Sequence, residues 1–314
     1  MIKSLFTKKK NKKLNIVIAG GTGLIGQALK AQFDTSSTVT ILSTNKSNNS
    51  IYWNPTDILQ NKSLPDELKE TIQHCDVLIN LAGYSVGKGR FSKKHKELIL
   101  NSRKDSTAAI GHLLHQLKPK KCHWIQASAI GFYGDTNNQK TNETSPNGHT
   151  FLAKVCKEWE NIATISSSSI PNCKLSICRI GLVLDKNADA WKKMIIPIKL
   201  GLSGSLGTGK QWWSWIHLDD IVEGIDYLIN NQLDGTYNFT SPNPLQQREF
   251  NSIIAKQFRR PSIIPTPKLA LKLVLGDAAD ELLLSSCHAS PNALLNAGYT
   301  FNVLTLKDAL KKLC

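Results

Sequence analysis

The segment Ile16-Val-Ile-Ala-Gly-Gly-Thr-Gly-Leu-Ile-Gly26 constrains the chain most, because a short apolar run enters a glycine-rich turn and leaves it directly as an amphipathic helix. Gly21, Gly23 and Gly26 satisfy G-x-G-x-x-G, and Gly20, Gly23 and Gly26 satisfy the wider G-x-x-G-x-x-G spacing. In such a turn one glycine permits the tight bend, one lets backbone approach a pyrophosphate, and one lets helix and strand pack closely. Ile25, Ala28, Leu29 and Phe33 share one helical face, so the helix would bury that face and direct its first N–H groups at an anion. Gly20, Gly21, Thr22, Gly23, Leu24, Ile25 and Gly26 are the expected phosphate cradle of a dinucleotide.

A chain of 314 residues with 41% hydrophobic residues suits one extended domain and an appendage. No apolar run nears the ~18 residues of a membrane span, so a soluble protein is expected. The excess of 39 Lys+Arg over 24 Asp+Glu, +15 in all, favours acidic partners such as phosphorylated cofactors. Part of it lies in Lys3, Lys8, Lys9, Lys10, Lys12 and Lys13, so residues 1–13 read as a solvated basic tail without the apolar core of a secretory signal. The rest is scattered, with no aromatic-interleaved basic stripe for nucleic acid. Seven cysteines without a C-x-x-C pair fit a reducing cytoplasm. His112 and His115 lack a third ligand at matching spacing, so no metal site is expected.

Strand-like segments at Asn15–Ala19, Thr38–Leu42, Asp76–Ala82, His123–Ala129, Lys174–Leu184 and Gly235–Thr240 alternate with helical patterns such as Ser92–Lys118 and Phe151–Ile165. That alternation predicts an α/β fold, a doubly wound parallel sheet with helices on both faces. The polar stretch Asp135–His149 reads as a loop after a strand end, where ligands bind in this architecture.

GGTGLIG at 20–26, NLAG at 80–83, SAIGFYG at 128–134 and WIHLDD at 215–220 together resemble an extended short-chain dehydrogenase/reductase. SAIGFYGD at 128–135, FLAKVCKEWE at 151–160, LGTGKQWWSWIHLDD at 206–220 and ELLLSSCHASPNALLNAGYTF at 281–301 narrow the resemblance to the atypical epimerase family of that superfamily. Some members carry nucleoside-diphosphate-sugar epimerase or cell-division-inhibitor labels. The resemblance implies a Rossmann domain over 14–244, with 185–215 contributing to a substrate lobe, and a small α-rich C-terminal lobe over 245–314. It implies that Leu81, Ala82 and Gly83 flank the cofactor beside Asn80, that Ser128 hydrogen-bonds the reacting oxygen, and that Lys154 holds the nicotinamide ribose.

The departure from the superfamily is Thr150, which stands four residues before Lys154 where a tyrosine is usual. A phenol near pKa 10 is tunable toward neutrality by a neighbouring ammonium, whereas an aliphatic hydroxyl is not. Tyr133 and His149 are the available substitutes.

Cofactor choice turns on Leu42-Ser-Thr-Asn-Lys46, where no acid is present to bind a ribose 2′-hydroxyl. Ser43, Thr44 and Lys46 offer donors and one charge, which favours NADP over NAD, although the arginine common in the family at Thr44 is missing. Trp212 and Trp213 either line the pocket or pack between lobes, and His217 belongs to the same candidate wall. Arg179 either grips an anionic substrate or forms a structural ion pair, and Asp219 or Asp220 is expected to cap the following helix. The expected protein is a cytoplasmic, NADP-dependent epimerase-like or reductase-like enzyme acting on a nucleotide-sugar or other phosphorylated small molecule, or a non-catalytic NADP(H)-binding regulator linked to cell division, in either case with a homodimer as the possible assembly.

Overall fold

The computed structural model describes residues 13–46 and 49–313, so the basic tail ahead of Lys13 lies outside the described residues. Seven strands form the central sheet: β1 (Asn15–Ala19), β2 (Thr38–Ser43), β3 (Ile51–Tyr52), β4 (Val77–Asn80), β5 (Cys122–Ala129), β6 (Cys173–Ile180) and β7 (Gly235–Phe239). Their spatial order is β7-β6-β5-β4-β1-β2-β3, and every pairing is parallel. A parallel ladder needs crossovers, and the helices that supply them cover both faces of the sheet.

The helices that bear on the site are α1 (Leu24–Phe33), α2 (Lys93–Leu117), α3 (Phe151–Ser168), α4 (Asp189–Lys199) and α5 (Leu218–Asn230). On one face Leu29 and Phe33 of α1 and Ile221, Ile225 and Leu228 of α5 pack on Ile16, Ile18 and Ile79. On the other, Leu113 and Leu114 of α2 and Ala163 of α3 enclose Trp124 and Leu78. Each such side chain contributes about 1.5–3 kcal/mol on full burial, so the faces fix which residues of each strand are left for other work. The doubly wound α/β sheet expected from the alternation is what the chain forms.

A third core joins Leu184, Trp191 and Trp215 to Phe250, Ile254, Leu306 and Leu310, so residues of the 185–215 region and of the C-terminal segment share one hydrophobic cluster. The C-terminal segment also returns to the sheet, because Leu294, Tyr299 and Phe301 pack into the first cluster.

Three local expectations are corrected. The run Lys174–Leu184 is two strands, since Gly181 N–H closes on Phe239 O of the sheet while Leu182 N–H turns to Ser214 O, and Leu182–Leu184 then pairs with Trp215–His217. A Cβ at Gly181 would stand 2.6 Å from Ser214 O, so the crossing of the two strands requires glycine there. Within the polar stretch 135–149, Lys140–Thr141 forms a short strand against His288–Ala289. The N-cap of α5 is His217, whose Nδ1 accepts from Asp219 N at 3.2 Å, rather than either aspartate. Asp220 is instead buried and accepts from Asn302 N and Val303 N, tying the C-terminal segment to α5.

Candidate functional site

The glycine turn lies at the C-terminal end of β1, beside the end of β4, where the strand order reverses direction; ligands of open α/β sheets bind at this point. Its glycines divide the work. Gly20 has φ +78° and its missing Cβ would meet Ala82 N and Leu81 C at 2.8 Å, so only glycine lets β1 pass the turn after β4. A Cβ on Gly26 would fall 2.5 Å from Gly21 Cα, which makes Gly26 the contact between helix and turn. A Cβ on Gly23 would meet only Gly20 O, at 3.5 Å, so fold packing does not demand glycine there. Gly23 is the N-cap of α1, no side chain caps that helix, and its open side lies on a cavity. An uncapped helix start with free backbone space in front of it leaves N–H groups able to meet an anion.

The cavity, of about 1130 Å³, runs from Thr22, Gly23, Leu24 and Gln27 past the ends of β5 and α3 to the C-terminal lobe. Just past the turn, Gln27 of α1 donates to Gly21 O at 2.6 Å and so rigidifies the turn from within the helix. The turn after β4 is set by Asn80, fully buried, whose Oδ1 accepts from Ala82 N at 3.1 Å while its Nδ2 donates to Thr107 Oγ1 and Gln126 Oε1. Leu81, Ala82 and Gly83 thus sit against Gly20 as backbone walls. At the end of β2, Ser43 is buried and accepts from Asn45 N, while Thr44 and Lys46 are exposed, with Lys46 Nζ 5.5 Å from the centre of the Tyr52 ring.

The predicted chemical residues are placed differently from expectation. Strand alternation turns Ser128 toward α3, where its Oγ donates to Glu160 Oε1 at 2.6 Å, and the next residue, Ala129, lines the cavity instead. On α3 the cavity-facing residues are Leu152, Val155, Cys156 and Trp159, a spacing of three, four and seven that marks one face. Lys154 lies on the opposite side of that helix and is exposed. Thr150 is the N-cap of α3, its Oγ1 accepting from Ala153 N at 3.2 Å, so the residue in the usual tyrosine position serves the helix. Glu281 of the C-terminal lobe adds to that cap by accepting from Phe151 N and Leu152 N at 2.8 and 3.0 Å.

Arg179 does not reach the cavity. It makes a two-pronged pair with Glu160, Nε to Oε1 at 2.9 Å and Nη2 to Oε2 at 2.7 Å, and its Nη1 donates to Tyr133 OH at 2.9 Å. Tyr133 OH donates onward to Asn238 Oδ1 at 2.7 Å, and the Arg179 guanidinium stacks 3.5 Å from the centre of the Phe132 ring. Register explains the cluster, because Ser128, Arg179 and Asn238 are direct neighbours across β5, β6 and β7. Burial disfavours the charge on Arg179, but the Glu160 carboxylate outweighs it and holds the guanidinium above its ordinary value. Burial pushes the Tyr133 phenol up to about 12, against the pull of Arg179, so it is a poor acid or base near neutrality.

Trp212 and Trp213 do line the cavity; Trp212 stacks on His288 with ring centres 4.1 Å apart, and Trp213 Nε1 donates to Leu283 O. His217 is buried at the start of α5, outside the cavity wall, and burial depresses its pKa. Two thiols absent from the expected set, Cys156 and Cys287, do line it, each pushed up to about 12 chiefly by burial. Arg103 of α2 lines it too. Its signal in the sequence is a cation at helical spacing with the buried residues Ile99, Thr107 and Ile110.

Fold and cleft define a doubly wound protein of the extended short-chain dehydrogenase/reductase type. Residues 16–239 match the NAD dependent epimerase/dehydratase family, and residues 266–313 match a domain of unknown function, DUF1731. The chain belongs to that epimerase/dehydratase family. It is 33% identical over 311 residues to the epimerase family protein YfhF of Bacillus subtilis, covering 96% of this chain and 98% of the relative. It is 30% identical to the chloroplastic epimerase family protein SDR39U1 homolog of Arabidopsis thaliana, covering 98% and 88%. Among solved structures, human epimerase family protein SDR39U1 with NADPH superposes at a TM-score of 0.83, 26% identical, covering 95% of this chain and 98% of that one.

Proposed function

We propose that the chain binds NADP(H) across the glycine turn and works as an epimerase-like or reductase-like protein on a small molecule held between the sheet and the C-terminal lobe. The observation that carries the reading is Gly23: the fold leaves space at its Cβ, and that space opens on the cavity at an uncapped helix start. The structure of human SDR39U1 with NADPH supports the choice of cofactor, as does the absence of a carboxylate at Ser43–Lys46. When bound, the nicotinamide supplies hydride chemistry. The chain's own contribution is to place the backbone cradle at Thr22–Leu24, exclude water with Leu152, Val155 and Trp159, and present Thr44 and Lys46 to the 2′-phosphate.

A second reading, a binding protein without turnover, is favoured by one observation. At the β5–α3 corner the cavity wall is Ala129, Ile130, Gly131, Leu152 and Cys156, with no phenol or amine among them. General acid–base help, worth about 10²–10⁴-fold, then has to come from a side chain elsewhere in the cavity, such as Lys193 or Asp189, from the substrate or from water. Homodimerisation and a cytoplasmic location belong to the proposal as well. Among the described residues no helix is long and apolar enough to cross a membrane.

Titration of NADPH into the wild type and Gly23→Val, followed by cofactor fluorescence, tests the assignment. The variant is expected to fold and to lose about a hundredfold or more in affinity, since its side chain fills the cradle where backbone N–H groups meet the phosphates. Undiminished affinity in folded Gly23→Val would overturn it.

A further inference from the structure

Resting on the cofactor assignment above, we infer that Arg103 of α2 is the anion-binding residue of the substrate side of this cavity, and that the molecule held there is a carboxylate or similar anion with an apolar body. The guanidinium is fixed from behind: Nη1 donates to Tyr84 O at 2.9 Å and to Ile99 O at 3.1 Å. Its plane lies against Gly83, where a Cβ would come within 3.2 Å of Cζ, and its Cζ is 5.0 Å from the centre of the Trp159 ring. Those contacts use one nitrogen. The N–H groups of Nε and Nη2 have no protein partner among the described residues, and the residue forms part of the cavity wall.

No carboxylate among the described residues pairs with Arg103, in contrast to Arg179, so its charge faces the cavity uncompensated. A cation held in a partly desolvated wall with unused, fixed donors is a receptor for an oxyanion. Glu281, a carboxylate of the same wall, is bound to the N–H groups that start α3 and is not available to neutralise it. Lys193 of α4, another cavity residue, is turned to Gly87 O at 2.8 Å, and its charge is offset by Asp189, one turn earlier on the same helix and also in the wall, so Arg103 is the cation left to a ligand. The position also explains how a cation comes to the α3 face without Lys154: it reaches in from α2 and stacks on Trp159.

The apolar body follows from other residues of the same cavity. Met194, Leu206, Trp213, Leu282 and Leu283 line it. Two of its polar side chains are tied down, Gln247 Oε1 accepting from Leu206 N at 2.9 Å and Asn251 Nδ2 donating to Gly204 O and Ser262 Oγ. That stretch of the wall suits hydrocarbon, while the polar side chains of Asn187, Thr266 and Ser285 elsewhere in the cavity are left to the polar end of a ligand.

The probes are octanoate and its uncharged analogue octanamide, titrated into the full chain with and without saturating NADPH and read by calorimetry. Wild type is expected to bind octanoate about tenfold or more tightly than octanamide, the margin of one charge-assisted contact. Arg103→Gln, which keeps a donor for Tyr84 O, should level the two, Arg103→Lys should retain part of the preference, and NADPH affinity should stay within about twofold in both. Arg103→Met serves the same purpose if the glutamine variant does not fold. Equal binding of the two probes by the wild type, or a preference surviving in folded Arg103→Gln, overturns the inference. A parallel loss of NADPH affinity in that variant also overturns it, by assigning the guanidinium to the cofactor. If the wild type binds no NADPH, the cofactor reading fails by itself, and the cofactor-free titrations still decide the role of Arg103.

Discussion

Two arginines, Arg179 inside the sheet and Arg103 at the cavity wall, show how the same side chain becomes structure in one place and a site in another. Arg179 meets a carboxylate with two parallel hydrogen bonds, a phenol and an aromatic face, so every feature that makes a guanidinium useful to a ligand is already taken. Arg103 is held by backbone carbonyls and an indole, which orient it without neutralising it. Partner chemistry separates them more than depth of burial does. A charge satisfied internally stabilises one conformation, whereas a charge fixed but unpaired is stabilised only by what binds it.

The largest expected effect is on the satisfied side. Arg179→Met leaves Glu160 as a buried carboxylate with only Ser128 and is expected to cost about 3–5 kcal/mol in unfolding free energy. Denaturant melts of Arg179→Met beside Arg103→Met would show the first strongly shifted and the second little changed. Equal shifts would erase the distinction between the two arginines.

A smaller effect concerns His123 at the start of β5, whose Nε2 lies 2.7 Å from Ser176 Oγ and whose pKa is lowered to about 4, first by burial and then by Lys174. A depressed folded value means its neutral form stabilises the fold above the unfolded pKa of about 6.5 and that this stability is lost as pH falls toward 4. Melting temperature should therefore decline through that window, and His123→Gln should flatten the decline. A decline unchanged in the variant would place the acid-sensitive group elsewhere, with His217 the next to test.

The smallest effect is expected at Lys154. Because it lies on the exposed side of α3, Lys154→Met should change NADPH affinity by less than about twofold, within the range of surface substitutions. A loss of tenfold or more would restore the ribose-binding role that the resemblance implies and would weaken the case that the cavity's cation comes from α2.

The legible parts of the chain were those set by local periodicity and by glycine. Strand, turn and helix at 15–33 read directly, because a turn that needs φ +78° at Gly20 and no Cβ at Gly26 leaves few alternatives. The two long helices were visible from apolar spacing as Ser92–Lys118 and Phe151–Ile165; that Ser92 and Thr150 are their N-caps is read only from the structure. The short pieces were not visible: two residues of Ile51–Tyr52 carry too little periodicity to read, and Lys140–Thr141 and Trp212–Trp213 exist only through partners far along the chain. The same applies to the site: motif position suggested Ser128, Lys154 and Arg179, but strand alternation, helical phase and register turned each away from the cavity.

By itself the sequence determined the α/β class, the strand–helix alternation, the glycine turn and the lack of an acidic phenol at Thr150, since each follows from the conformational limits or chemistry of residues near one another in the chain. Tertiary structure alone decided that Ser128, Tyr133, Glu160, Arg179 and Asn238 form one closed cluster and that Arg103 reaches the cavity through Gly83 and Trp159. The reason is physical: whether a charged side chain is compensated depends on which strands lie side by side and which helix face crosses them, and both are set by long-range packing rather than by any neighbour in sequence.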